Sequence, residues 1–122
     1  EQVAFGQRLA DMGTIRQHIA GSRIEIDSAR LMVLNAAHLM DTVGNKEARK
    51  EIAAIKVIAP QMTLDVIDRA IQVHGALGIS DDTILSFFYR NERAARIYDG
   101  PDEVHRNVVA RRVLREYGYS TR

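Results

Sequence analysis

A chain of 122 residues with 17 basic and 16 acidic side chains, for a formal net charge of +1, has no global field to attract nucleic acid or an anionic membrane. It holds no cysteine, which excludes disulfides and thiolate chemistry, and it shows neither an apolar run of about 18 residues nor a signal-peptide pattern. A chain of this size buries roughly two-thirds of its unfolded surface, so one core and one domain, residues 1–122, are expected.

In chain order, the first predicted element is a long helix from about Met12 to Val43. Met12, Ile15, Ile19, Ile26, Ala29, Val33, Ala37 and Met40 recur at three-, four- and seven-residue steps, with Arg16, Arg23, Asp27 and Arg30 on other faces. Gly44-Asn45 reads as a stop followed by an N-cap type of residue, which makes a helical hairpin. The second helix is predicted from Lys46 to about His74, its apolar face running through Ala48, Ile52, Ile55, Ala59, Met62, Val66, Ala70 and Val73. Pro60 predicts a kink within it, or a division into two shorter helices. Gly75-Ala76-Leu77-Gly78 ends this helix, and Ser80-Asp81-Asp82-Thr83 reads as a loop and cap. Helices from Ile84 to Ile97 and from Asp102 to Tyr117 follow. No segment alternates as a strand would, no repeat is visible and no linker divides the chain. The expected architecture is all-α, an antiparallel four-helix bundle.

Counting residues narrows the chemistry. A di-iron bundle needs two Glu-x-x-His pairs, and only Asp102-x-x-His105 approaches one; the residues three before His18, His38 and His74 are Ile15, Asn35 and Ile71. No two histidines have helical zinc spacing, so no metal site is expected. His38 and His74 read as partly buried, hydrogen-bonded residues. Arg90, Arg93 and Arg96 step around a helix at 300° per three residues instead of forming a row, which points to solvated faces and a few structural ion pairs. Gly75 to Gly78 follows a helix, not a strand, and is a poor dinucleotide fingerprint.

One junction stands out. Ile97-Tyr98-Asp99-Gly100-Pro101-Asp102-Glu103-Val104-His105 lies between the last two helices, where Gly-Pro stops one and pre-sets φ for the next. On its residues alone, Asp99 reads either as an N-cap for the following helix or as a functional carboxylate.

The string from Gln72 to Arg112 resembles the C-terminal domain of acyl-CoA dehydrogenases. Gln72-Val73-His74-Gly75-Ala76-Leu77-Gly78 matches the family's Gln-x-x-Gly-Gly-x-Gly, Arg90-Asn91-Glu92-Arg93 its Arg-Asp-Ala-Arg-like helix, and Tyr98-Asp99-Gly100-Pro101 its Tyr-Glu-Gly-Thr turn. Ala4-Phe5-Gly6 matches a further Arg-x-x-Phe-Gly segment, and aspartate in place of the turn's glutamate is similar to the acyl-CoA dehydrogenase 10/11 branch. The chain begins without Met, at a point that resembles the interior of a longer flavoenzyme, so a C-terminal fragment is expected.

The resemblance implies FAD-dependent α,β-dehydrogenation of an acyl-CoA thioester, in which a base takes an α-proton and a hydride passes to the flavin. Asp99 maps onto the base. Phe5, Gln72, Gly75, Ala76, Pro101 and Glu103 map onto cofactor-binding positions, some of them reaching the FAD of a neighbouring subunit. The departures are Gln2 for a pyrophosphate-binding Arg, Ala4 for a Thr, Gly13 for a Gln, Ala76 for the second Gly, and Pro101 for a Thr. Three or four donors are thus absent, and the fragment alone is expected to bind no FAD and to be inactive. The implied partners are an acyl-CoA substrate, an electron-transfer flavoprotein or similar acceptor, and further copies in a homodimer or homotetramer. The implied location is the cytoplasm if bacterial and the mitochondrial matrix if eukaryotic. The alternative function is a non-catalytic helical bundle serving oligomerisation.

Overall fold

The computed structural model describes residues 2–121. A two-residue antiparallel ribbon, β1 (Val3–Ala4) with β2 (Gln7–Arg8), turns through Phe5 and Gly6, both at positive φ (54° and 78°). A 3-10 turn at Leu9–Asp11 leads into α1 (Gly13–Thr42). Then follow α2 (Arg49–His74), the single turn α3 (Ala76–Ile79), α4 (Leu85–Ala94) and α5 (Asp102–Glu116).

The long helices fall where the apolar periodicity placed them, and Gly44 at φ 87° makes the stop, its N–H reaching back to the Leu39 carbonyl at 3.1 Å. The hairpin's second half differs from expectation. Residues 45–48 form a turn closed by the Ala48 N–H on the Gly44 carbonyl (3.1 Å), so the N-cap of α2 is Ala48 and not Asn45. Pro60 sits inside an unbroken α2, buried, with neighbouring turns carrying the helix past its missing N–H.

The helix α2 is the hub: it packs against α1, α3, α4 and α5. Arg69 of α2 meets Glu25 and Ser22 of α1, while Ala54 and Ile55 share a cavity with Met32 and Asn35, so α1 runs antiparallel to it. On the other side α4 ends against Lys56, and α5 continues from there to Lys50, which meets Glu116 at 2.7 Å. The four-helix bundle is therefore α1, α2 and the consecutive pair α4–α5, ranged along one central helix.

Small residues make close approach possible. Among the described residues, apart from Pro60 and Gly78, the buried apolar residues are Ala29, Ala36, Ala48, Ala53, Leu64 and Ala95, and five of these six are alanines. Several residues of the predicted apolar face are outside: Ile19 and Met40 of α1 are exposed, since α2 covers only one strip of α1. His38 and His74 are also exposed rather than partly buried; His74 donates from Nδ1 to the Ala70 carbonyl at 2.7 Å. At the far end of α2, a Cβ on Gly78 would stand 2.6 Å from the Ile71 carbonyl oxygen, so only glycine lets α3 fold back so closely.

Candidate functional site

The junction between α4 and α5 begins with a tightening. The helix predicted to Ile97 ends at Ala94, and Ile97 and Tyr98 both return their N–H groups to the Ala94 carbonyl (2.9 and 3.1 Å). The chain then enters the left-handed region at two successive residues, Asp99 (φ 54°) and Gly100 (φ 94°). Aspartate is among the few non-glycine residues that tolerate this region. Glycine at position 100 also leaves room for the His105 ring, since a Cβ there would lie 2.8 Å from its Nε2 and push the ring aside.

The N-cap reading of Asp99 fails. The N-cap of α5 is Pro101, in extended conformation and without a side-chain cap, and the acidic residues of the first turn are Asp102 and Glu103. Asp102 is the buried charge of the region. Its carboxylate accepts from Arg96 Nε at 2.7 Å and its N–H donates to the Arg96 carbonyl at 3.2 Å, so one pair ties the end of α4 to the start of α5.

Two further side chains hold the turn. Lys56 of α2 donates to the carbonyls of Ala95 (2.6 Å) and Tyr98 (2.9 Å) and lies 5.1 Å from the centre of the Tyr98 ring. His105, one turn into α5, donates from Nε2 to the Asp99 carbonyl at 3.1 Å. Sequence reading missed both. The available signal for Lys56 was its placement on the apolar face of α2, four residues after Ile52 and three before Ala59.

Asp99, Tyr98, Lys56 and His105 stand on the rim of a cavity of about 440 Å³ whose walls include Ile52, Ile55, Ala59 and Pro60. A carboxylate free of side-chain partners among the described residues thus stands beside an apolar hollow. Such a group can take a proton from a carbon acid seated there.

The other predicted site residues divide between two places. Pro101 and Glu103 are beside Asp99, exposed in and before the first turn of α5. Gln72, Gly75 and Ala76 are exposed at the opposite end of α2, where Gly75 (φ 62°) turns the chain into α3. That end lies roughly 24 Å from Lys56 along α2, at 1.5 Å per residue. The start of the chain joins this far end: Gln2, Arg8 and Leu9 line one groove of about 760 Å³ with His74 and Leu77. Phe5, at the ribbon tip, is 98% exposed. The structure therefore gathers Asp99 with Pro101 and Glu103, and separately places Gln72, Gly75 and Ala76 at the end that carries the ribbon.

Across known proteins, residues 1–114 match the acyl-CoA dehydrogenase C-terminal domain family. Probable acyl-CoA dehydrogenase FadE2 of Mycobacterium tuberculosis is 58% identical over 113 residues, covering 93% of this chain and 28% of its own length. Mouse acyl-CoA dehydrogenase family member 10 is 54% identical over 114 residues, 93% of this chain and 11% of its own. A solved structure of a protein assigned to the acyl-CoA dehydrogenases, from Mycobacterium abscessus, superposes with a TM-score of 0.93 at 50% identity, over 96% of this chain and 29% of that one. The chain thus spans under a third of the length of these relatives. On the match along its length, on its helical fold and on its likeness to family members 10 and 11, the chain belongs to the acyl-CoA dehydrogenase family, as a C-terminal domain.

Proposed function

We propose that this domain supplies Asp99 as the catalytic base of an FAD-dependent acyl-CoA dehydrogenase. The carrying observation is the Asp99 carboxylate, which caps no helix and is held in a left-handed turn on the rim of an apolar cavity. An acyl chain fits walls made by Ile52, Ile55, Ala59 and Pro60, and a thioester at the rim presents its α-proton to the carboxylate. Aspartate is one methylene shorter than the family's usual glutamate. The turn at Tyr98 to Gly100 therefore has to bring its backbone closer to the substrate.

FAD, when bound, supplies the hydride acceptor. This chain's own share in holding it is a surface contribution: Phe5 offers an exposed aromatic face, and Gln72, Gly75 and Ala76 offer an amide and an unhindered backbone, with open space where a Cβ on Gly75 would stand. These residues fit contact with a flavin nucleotide without enclosing one. Because Gln72 lies roughly 24 Å along α2 from Lys56, beside Asp99, with Gly75 and Ala76 just beyond it, we read this end as serving a site completed by a second copy in a homodimer or homotetramer. Pro101 and Glu103 would face the site that Asp99 serves. An electron-transfer flavoprotein or similar carrier is the proposed acceptor for the whole enzyme.

The test is Asp99→Asn in the full-length flavoenzyme. Asparagine tolerates positive φ as aspartate does, so fold and FAD content should hold. Flavin reduction by acyl-CoA, followed by stopped flow, should slow by about 10² to 10⁴-fold. Reduction at the wild-type rate would move the base to another residue, outside this domain.

A second reading, an oligomerisation scaffold, is favoured by one observation: Ile24 and Leu31 of α1 are each 66% exposed and Leu34 is 55% exposed. An apolar face of this kind prefers a partner.

A further inference from the structure

Lys56 presents an apparent conflict between sequence and energetics. An ammonium on the apolar face of a helix loses hydration, and long charged side chains normally extend their heads into water. Here the head turns to two backbone carbonyls instead, those of Ala95 and Tyr98, and to the Tyr98 ring. Both carbonyls belong to the stretch in which α4 ends, where unpaired C=O groups and the negative end of the helix dipole favour a cation.

The consequence lies one residue further on. Asp99 and Gly100 hold consecutive left-handed conformations, and at Asp99 that conformation has a steric cost. It persists because the peptides on both sides of Asp99 are pinned. The carbonyl before it, of Tyr98, is held by Lys56, and its own carbonyl is held by His105. The first pin comes from α2, the hub helix, and the second from α5, so the turn is gripped between two elements, and the Arg96–Asp102 pair separately ties the stretch after α4 to the start of α5.

We propose that Lys56 is a positioning residue for proton abstraction: by holding the Tyr98 carbonyl it fixes the Tyr98–Asp99 peptide and keeps the Asp99 carboxylate at the cavity rim. The inference rests on the reading of Asp99 as the base. Although Lys56 lines the same cavity, its ammonium is committed to the Ala95 and Tyr98 carbonyls, and in this scheme it acts through the backbone of the base.

The experiment compares Lys56→Met, Lys56→Arg and Asp99→Asn, singly and combined, in the full-length flavoenzyme. Lys56→Met should slow flavin reduction by about 10²-fold, the scale on which a displacement of about 1 Å acts. The KM for acyl-CoA should change by less than about twofold, because the loss falls on the transition state and not on uniform binding. Lys56→Arg, which keeps a cation with several donors, should recover most of the rate. In the Asp99→Asn background, Lys56→Met should have no further effect, since a group acting through the base has nothing left to position. A full, additive loss in that background would show a general structural role and overturn the proposal. Lys56→Met reducing flavin at the wild-type rate, with Asp99→Asn slow, would overturn it while leaving the base in place. Asp99→Asn at the wild-type rate would instead overturn the reading of the base, and with it the role of Lys56. Should the methionine variant not fold, Lys56→Gln, with its two amide donors, is read by the same comparison.

Discussion

The two ends of α2 are built on opposite principles. Around Lys56, the turn carrying Asp99 is held by polar contacts from two helices and from the junction itself: Lys56 of α2 on two carbonyls, His105 of α5 on a third, and Arg96 of the junction on the buried Asp102. Around His74, the chain turns at Gly75 with open space about it, Gln72 is exposed, and Phe5 stands free at the ribbon tip. The first region is organised from within the domain. The second presents surface, which fits residues whose partner is another molecule.

The contrast predicts where substitutions hurt. Asp99→Asn and Lys56→Met should show the largest effects, on rate. Next comes stability at the junction. Asp102→Ala leaves Arg96, mostly buried, without its carboxylate, and should destabilise the domain by about 3 kcal/mol, the low end for breaking a buried pair because the Arg96 side chain keeps 29% of its exposure. The urea midpoint of the domain measures this, and a loss near zero would show that the pair does not hold the junction.

A smaller effect is expected where the far end does pack closely. Gly78→Ala drives a Cβ against the Ile71 backbone, and the required shift of α3 should cost about 1 to 3 kcal/mol by the same measurement. An unchanged midpoint would mean that α3 moves freely and that this end has no packing constraint at all.

The smallest change in stability, and the sharpest test of the contrast, is Phe5→Ala. Its side chain touches little, so the midpoint should stay within about 0.5 kcal/mol. Sedimentation of the full-length protein should nonetheless show weaker self-association or lower FAD content. Wild-type behaviour in both would remove the reason for assigning this end to a partner.

Much of the fold is legible in the sequence. The periodicity of α1 and α2 and the glycine at position 44 located the hairpin, because a helix that buries one face must repeat its apolar residues about every 3.6 positions. The depth of burial was less legible: Ile19 and Met40 fit the apolar stripe yet remain exposed, since periodicity marks a face without saying how wide a strip the neighbour covers. The cap expected at Asn45 lies elsewhere, and the cap reading that Asp99 left open fails, for a related reason. Several polar residues near each helix start can serve as caps, and the turn geometry chooses among them or uses none.

What the sequence by itself determined is the class of the molecule: a helical domain, with Asp99, Gly100 and Pro101 forced into a break because glycine and proline there end one helix and begin another. Only the tertiary structure decided how that break is held. Lys56 lies 39 and 42 positions before the carbonyls it binds, and Arg96 reaches Asp102 across the turn itself. A spacing along a helix shows that a charged residue sits on an apolar face, but it does not say which carbonyl will meet it. That partner is chosen when α4 stops short against α2, because an ammonium on a partly covered apolar face is stable where acceptors have been brought within hydrogen-bond reach.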